Sequence, residues 1–302
     1  SGRSEERNLL DDTTIDRNLE VIKVQLGSLL DIGGVARMVD NRDWMVNKTA
    51  LEFLRDVGKL ITINTMLAKE SIRTRLEGEH GISYTEFSYM LLQANDFVEL
   101  FDGYGCEMQV GGSDQWGNIT AGIDMVRRRF STPAFGLTVP LITRADGAKF
   151  GKSAEGAVYL SPTRTLPYEF HQYFLRTDDR DAERFLLQLT LLSVREVAAI
   201  MSAHNDAPEQ RHAQSALADG VTELIHGPGE VRKAKLAAGA LFGGGHLDAE
   251  GLDALRGIVP ETAVESSLVA GTDAVVDLLI ATGVCSSKGD ARRTIEQGGI
   301  RV

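Results

Sequence analysis

The chain has 302 residues, 43% of them hydrophobic and 25% charged, a balance that supports a large core and two or three domains. The net charge of −11 excludes broad nonspecific nucleic-acid binding, although Arg127-Arg128-Arg129 and Lys288 with Arg292-Arg293 remain as local basic patches. No apolar run is long enough to span a membrane, no segment has the form of a signal peptide, and Cys106 and Cys285 fit no metal or disulfide pattern, so a cytoplasmic protein is expected.

Residues 1–8 are polar and charged and read as a loop. The spacing of Ile15, Leu19, Ile22 and Leu26 predicts an amphipathic helix. Thr49 and Glu52 make a capping box ahead of Leu51, Phe53, Leu54, Val57 and Ile61, and Ser83 with Glu86 makes another that opens a helix running to about Glu99. Cys106, Met108 and Val110 alternate with Glu107 and Gln109, a strand that Gly111-Gly112 should end. A helix through Ile119, Ile123 and Val126 follows, its C-terminal end favourably closed by the three arginines. Residues 135–143 read as a second apolar strand, and 167–256 as mostly helical. Residues 257–273, without periodicity, read as a linker. A helix pair at 274–281 and 288–297 closes the chain, with Ser286 or Ser287 as N-cap and Gly298-Gly299 as the stop. The chain opens without Met in a polar loop and stops at Gly299-Ile300-Arg301-Val302 where a strand begins, so a longer native protein is expected.

Three constellations carry chemistry. The first is Lys149-Phe150-Gly151-Lys152-Ser153, behind Asp146-Gly147. Paired ammonium groups on a glycine-loosened loop suit a polyphosphate whose charge shifts during reaction; a solvated basic turn is the plainer reading. The stretch is one residue short of a P-loop, and Gly156-Ala157-Val158-Tyr159-Leu160 reads as a short strand where a P-loop needs a helix, so that motif is rejected.

The second constellation is Tyr89, Gln93 and Asp96, which share an arc of roughly 60° on the 84–99 helix. The remainder of that helix is apolar almost all round, so it should be buried with its polar stripe facing a cavity; an ordinary wet face is the alternative. The third is the run from Gln109 through Gly111-Gly112-Ser113-Asp114-Gln115-Trp116-Gly117-Asn118, which joins a strand's carboxyl end to a helix N-terminus, where ligands of α/β folds bind. Bare glycine backbone permits close approach there, and Asp114 suits a ribose hydroxyl pair.

Together, and in this order, these motifs resemble those of bacterial tyrosyl-tRNA synthetases, a family of class I aminoacyl-tRNA synthetases, along the whole chain. The resemblance implies that Lys149, Lys152 and Ser153 belong to a mobile KMSKS-type loop that stabilises the departing pyrophosphate of ATP, with Arg3 and Arg7 on a second loop closing on the same phosphates. It implies that Tyr89 and Gln93 hold the amino group of L-tyrosine, Asp96 its phenolic hydroxyl, and that Gln109 and Gln115 line the same pocket. Gly112 and Asp114 would contact the ATP ribose, and Lys288, Arg292 and Arg293 would meet tRNA(Tyr). ATP with Mg2+ is the implied co-substrate, no dedicated metal site is expected, and a homodimer is implied through the segment around residues 51–92.

The implied fold is α/β. Residues 1–160 would form the second half of a Rossmann-like parallel-sheet nucleotide-binding core, with a helical insertion at about 45–105 and the mobile loop at 146–153. Residues 161–256 would be an α-helical domain, 257–273 a linker, and 274–302 the start of an S4-like RNA-binding domain. The family's HIGH motif has no counterpart in this sequence, so a polypeptide of these 302 residues alone is expected to be inactive. A tryptophan–tRNA ligase and a non-catalytic RNA-binding protein of synthetase descent are the alternatives.

Overall fold

The computed structural model describes residues 10–68, 72, 73, 76, 82–146, 150–153, 156–242, 248–271 and 273–300. Its contacts divide the chain into two compact units, Ser1–Ala157 and Val158–Val302.

In the first unit α1 (Asp12–Gly27) starts where Asp11 accepts from the Thr14 amide at 2.7 Å. The single turn α2 (Arg42–Met45) precedes α3 (Ala50–Asp56), which opens on the Thr49/Glu52 capping box. α3 is shorter than its apolar periodicity implies, because a 3₁₀ turn at Gly58–Leu60 takes over after Val57. α4 (Ile63–Leu67) and the long α5 (Tyr84–Tyr104) follow. Ser83 caps α5 by accepting from the Glu86 amide at 3.2 Å. The helix runs past Glu99 to Gly105, whose φ of +64° closes it in the left-handed region.

β1 (Met108–Gly112), α6 (Trp116–Phe130) and β2 (Phe135–Val139) make one βαβ unit whose strands pair in parallel, Met108 opposite Phe135 and Gly112 opposite Val139. Gly111 and Gly112 are the last two residues of β1, as the sequence implies. One sequence expectation is corrected here: β2 does not run to residue 143 but stops at Val139, with Pro140 unable to donate to the ladder. Both glycine-bearing faces sit close to α6: a Cβ at Gly136 would stand 2.5 Å from Ile119 Cγ2 and one at Gly111 3.2 Å from Gln115 Cβ. The opposite face carries Met108, Val110, Phe135, Leu137 and Val139, all exposed. The core of this unit gathers Val57, Ile61, Met90, Ala94, Phe97, Val98, Met125 and Val126 between α3, α5 and α6.

In the second unit α7 (Pro167–Leu175), α8 (Asp179–Leu189), α9 (Val194–Asp206), α10 (His212–His226), α11 (Pro228–Phe242) and α12 (Ala249–Ala254) form a helical assembly with α10 at its centre. Phe170, Phe174, Phe185, Leu186, Val197 and Leu217 are buried there. The segment read as an aperiodic linker contains a short helix, α13 (Ser266–Val269). α14 (Ala274–Ala281) and α15 (Lys288–Glu296) form the closing pair, capped by Ser287 and packed on Val276, Leu279, Cys285 and Ala291. No helix among the described residues is long and apolar enough to cross a membrane.

Candidate functional site

β1 ends in a single 3₁₀ turn, Ser113–Gln115, from which α6 departs. Gln115, the N-cap of α6, makes no side-chain cap, and the Trp116 amide donates to the Ser113 carbonyl of the 3₁₀ turn. A Cβ at Gly112 would stand 2.7 Å from Asp114 Oδ1 and 2.9 Å from Leu141 Cδ2, so these two exposed side chains lie close over its bare backbone.

A line of side-chain hydrogen bonds runs from this turn to α5. Gln115 Nε2 donates to Asp114 Oδ2 at 3.2 Å. Asn118 Nδ2, one turn into α6, donates to Gln115 Oε1 at 3.2 Å and to Gln93 Oε1 at 3.1 Å. Asp114, Gln115 and Gln93 are thereby brought into one network. Asn118 is the member that sequence reasoning left without a role, although it closes the quoted run.

Asp96 lies three residues beyond Gln93 on α5 and is half-buried. Its Oδ1 accepts from Trp44 Nε1 at 2.9 Å and its Oδ2 from Asn41 Nδ2 at 3.2 Å. Neither donor was found in the sequence: both sit on α2 or its flank, more than fifty positions upstream, and follow no periodic pattern. Tyr89, at the start of the stripe, is 61% exposed, so the stripe grades from open to half-buried and does not line a closed cavity. Gln109 points its Oε1 into a buried position with no hydrogen-bond partner among the described residues, an acceptor that a ligand donor would satisfy.

Lys152-Ser153 forms a two-residue strand, β3, antiparallel to β4 (Gly156–Ala157), and Gly151 ahead of it has φ +79°. The described residues on either side of 154–155 are thus strands and not a helix, in line with the rejection of the P-loop. Arg3, Arg7 and Lys149 lie outside the described residues. In the second unit the basic patch is paired in place: Lys288 with Asp277 at 2.8 Å, Arg292 with Asp273 at 2.9 Å and Arg293 with Asp290 at 3.8 Å. These pairs are exposed and contribute little to stability, so the cations stay available to a polyanion. Among the described residues no three His, Cys, Asp or Glu side chains gather as a metal site.

Gln93 on α5 and the Asp114–Gln115 pair of the strand-to-helix turn are thus held side by side, with Asn118 between them.

Residues 1–243 match the family model of class I tRNA synthetases for tryptophan and tyrosine. The chain is 50% identical to a tyrosine–tRNA ligase of Opitutus terrae, over 100% of this chain and 72% of that protein. It is 45% identical to one of Roseiflexus castenholzii, over 100% of this chain and 73% of that protein. Among solved structures, a C-terminally truncated mitochondrial tyrosyl-tRNA synthetase of Aspergillus nidulans superposes with a TM-score of 0.67 at 32% identity, covering 80% of this chain and 72% of that one.

Proposed function

Because the chain belongs to the class I tRNA synthetase family of the tryptophan and tyrosine enzymes, we infer that it acts as a tyrosine–tRNA ligase. The reaction has two steps. The tyrosine carboxylate attacks the α-phosphate of ATP, displacing pyrophosphate and forming tyrosyl-adenylate. The terminal ribose hydroxyl of tRNA(Tyr) then attacks the tyrosyl carbonyl and releases AMP. Neither step needs a side-chain nucleophile, so catalysis rests on positioning and on stabilising charge as it develops.

In our reading Tyr89 and Gln93 hold the α-amino group, Asp96 accepts a hydrogen bond from the phenol, and Gln109 and Gln115 complete the amino-acid pocket. Asp114 and the bare backbone at Gly112 hold the ribose. Lys149, Lys152 and Ser153, with Arg3 and Arg7, meet the phosphates of ATP, which enters with Mg2+. The observation that carries this reading is the line of hydrogen bonds from Gln93 through Asn118 and Gln115 to Asp114, at 3.1, 3.2 and 3.2 Å, which joins residues assigned to the amino acid with the one assigned to the ribose. Discrimination against phenylalanine follows from Asp96: a half-buried carboxylate that loses its hydroxyl partner is left underbonded.

A homodimer fits the exposed apolar side chains Leu51, Leu54, Ile63 and Tyr84 of the 51–92 segment. Lys288, Arg292 and Arg293 are assigned to tRNA contact. The free thiols of Cys106 and Cys285 accord with a reducing, cytoplasmic setting.

ATP–pyrophosphate exchange by the complete protein tests the assignment, with tyrosine, tryptophan and phenylalanine offered in turn. Exchange with tyrosine alone is expected. Exchange with tryptophan would make it the sister enzyme, and tRNA binding without any exchange would make it a non-catalytic relative.

A further inference from the structure

The two donors on Asp96 come from a segment that cannot hold its own shape. α2 is a single turn of four residues, and one turn of helix is unstable in isolation. Its placement must come from bonds to something rigid. On its N-terminal side Arg42 pairs with Asp16 at 2.7 Å, an exposed contact of small energetic weight.

On its C-terminal side the situation differs. Lys48 Nζ donates to Asn95 Oδ1 at 3.2 Å and to Glu99 Oε1 at 2.9 Å, with the lysine side chain 17% exposed and the glutamate 24%. Asn95 is fully buried, and its Nδ2 points back to Met45 Sδ at 3.6 Å. Asn95 immediately precedes Asp96, and Glu99 lies three positions beyond it on the same helix. The residue after Lys48 is Thr49, the cap of α3, so the lysine sits where the loose segment enters a fixed element.

We propose that Lys48 is a positioning residue for tyrosine recognition: by bonding Asn95 and Glu99 it clamps the 41–48 segment to α5 and holds Trp44 and Asn41 on the carboxylate of Asp96. The proposal rests on the reading of Asp96 as the phenol acceptor. Removing the ammonium leaves Asn95 Oδ1 and the half-buried Glu99 carboxylate without their donor, and the segment carrying Trp44 loses its inner attachment. Asp96 keeps its place on a long helix but loses its fixed donors, so the orientation of the carboxylate toward a phenol is no longer set. The loss should therefore fall on the tyrosine side chain and spare the nucleotide.

The test uses Lys48→Met, Lys48→Arg and Glu99→Gln in the complete protein, with two readouts. In exchange assays Lys48→Met is expected to raise KM for tyrosine and to lower the tyrosine-to-phenylalanine ratio of kcat/KM about tenfold, the order set by one charge-assisted hydrogen bond. KM for ATP should stay unchanged, and Lys48→Arg should restore most of the loss. Should Lys48→Met fail to fold, Glu99→Gln is expected to shift the ratio in the same direction by a smaller factor. The second readout is hydrogen exchange of the Trp44 indole N–H, followed by NMR. Faster exchange in Lys48→Met supports the clamp. An unchanged indole, or equal losses for tyrosine, phenylalanine and ATP, overturns it. If the unmodified protein fails to exchange with tyrosine, the functional reading falls, and the indole measurement still decides the clamp.

Discussion

Trp44 Nε1 donates to Asp96 Oδ1 at 2.9 Å, tying a one-turn helix to the middle of α5 across 52 positions of chain. With Asn41 on the other oxygen, both carboxylate oxygens are engaged, yet an ionised carboxylate accepts at about four sites, so acceptor capacity is left over. Trp44→Phe keeps the packing and removes one donor. It should reduce kcat/KM for tyrosine by roughly tenfold, the equivalent of one hydrogen bond to a charged group, and change phenylalanine less. Asp96→Ala should abolish the preference for tyrosine over phenylalanine. Parallel exchange assays with the two amino acids check both.

Asn118 is bonded to both Gln93 and Gln115. Asn118→Ala leaves two half-buried amide oxygens without this donor, so KM for tyrosine should rise and kcat should fall, each by about tenfold or less. Asn118→Asp, which cannot donate to either oxygen when ionised, should be at least as damaging. Steady-state kinetics of both variants decide whether the bridge couples the two ends of the site.

Lys152 follows a glycine with φ +79° and is assigned to the leaving pyrophosphate. Charge that develops only in the transition state does not affect ground-state binding. Lys152→Ala should therefore slow tyrosine activation by more than tenfold while leaving the Kd for tyrosine nearly unchanged. Single-turnover kinetics with equilibrium binding separate the two, and equal losses would remove the lysine from that role.

The helical unit should lose stability in acid in two windows. Burial pushes the His226 imidazole below its ordinary value of 6.5, against a smaller upward pull from Glu230, and the ring packs edge-on against Phe170 at 4.9 Å. A depressed histidine contributes stability that is present above pH 6.5 and is lost as the pH falls below it toward the folded value. For Asp219 burial raises the carboxyl, but hydrogen bonds from His171 and Lys235 outweigh it and hold the group below 3.8, so that contribution is lost only in stronger acid. Thermal unfolding midpoints measured across pH should fall first below about 6.5, and His226→Leu should flatten that first decline.

Gly136 marks where β2, and Gly122 where α5, comes too close to α6 for a side chain. A Cβ at Gly136 would stand 2.5 Å from Ile119 Cγ2, and one at Gly122 2.9 Å from Phe97 Cδ1. Ile119 and Phe97 are each 1% exposed and have nowhere to go. Either glycine replaced by alanine should destabilise the first unit by about 1–3 kcal/mol, the usual range for overpacking, as read by denaturant midpoints at unchanged slope.

Much of this protein is local and was legible as such. The capping boxes announced α3 and Ser83 the start of α5, because a cap is a contact between residues three apart. The 3.6-residue apolar spacing marked α1 and α6, and the Gly-Gly-Ser-Asp-Gln run marked the turn from β1 into α6. Element ends were less legible: β2 stops at Val139 and α5 continues to Tyr104 through the packing around them, which local periodicity does not report.

What the sequence alone determined was the family, the order of elements and the residue types gathered around the β1–α6 turn and α5. The tertiary structure decided which partners those residues have. Trp44 and Asn41 on Asp96, Asn118 between Gln93 and Gln115, and Lys48 against the buried Asn95 are contacts between distant positions. Asn95 lies on an otherwise apolar face of α5, at 0% exposure, and only the arrival of Lys48 and Met45 from upstream explains a polar group there. Such hydrogen bonds depend on how the chain folds back on itself, and side-chain bonds formed at that range leave no period in the sequence.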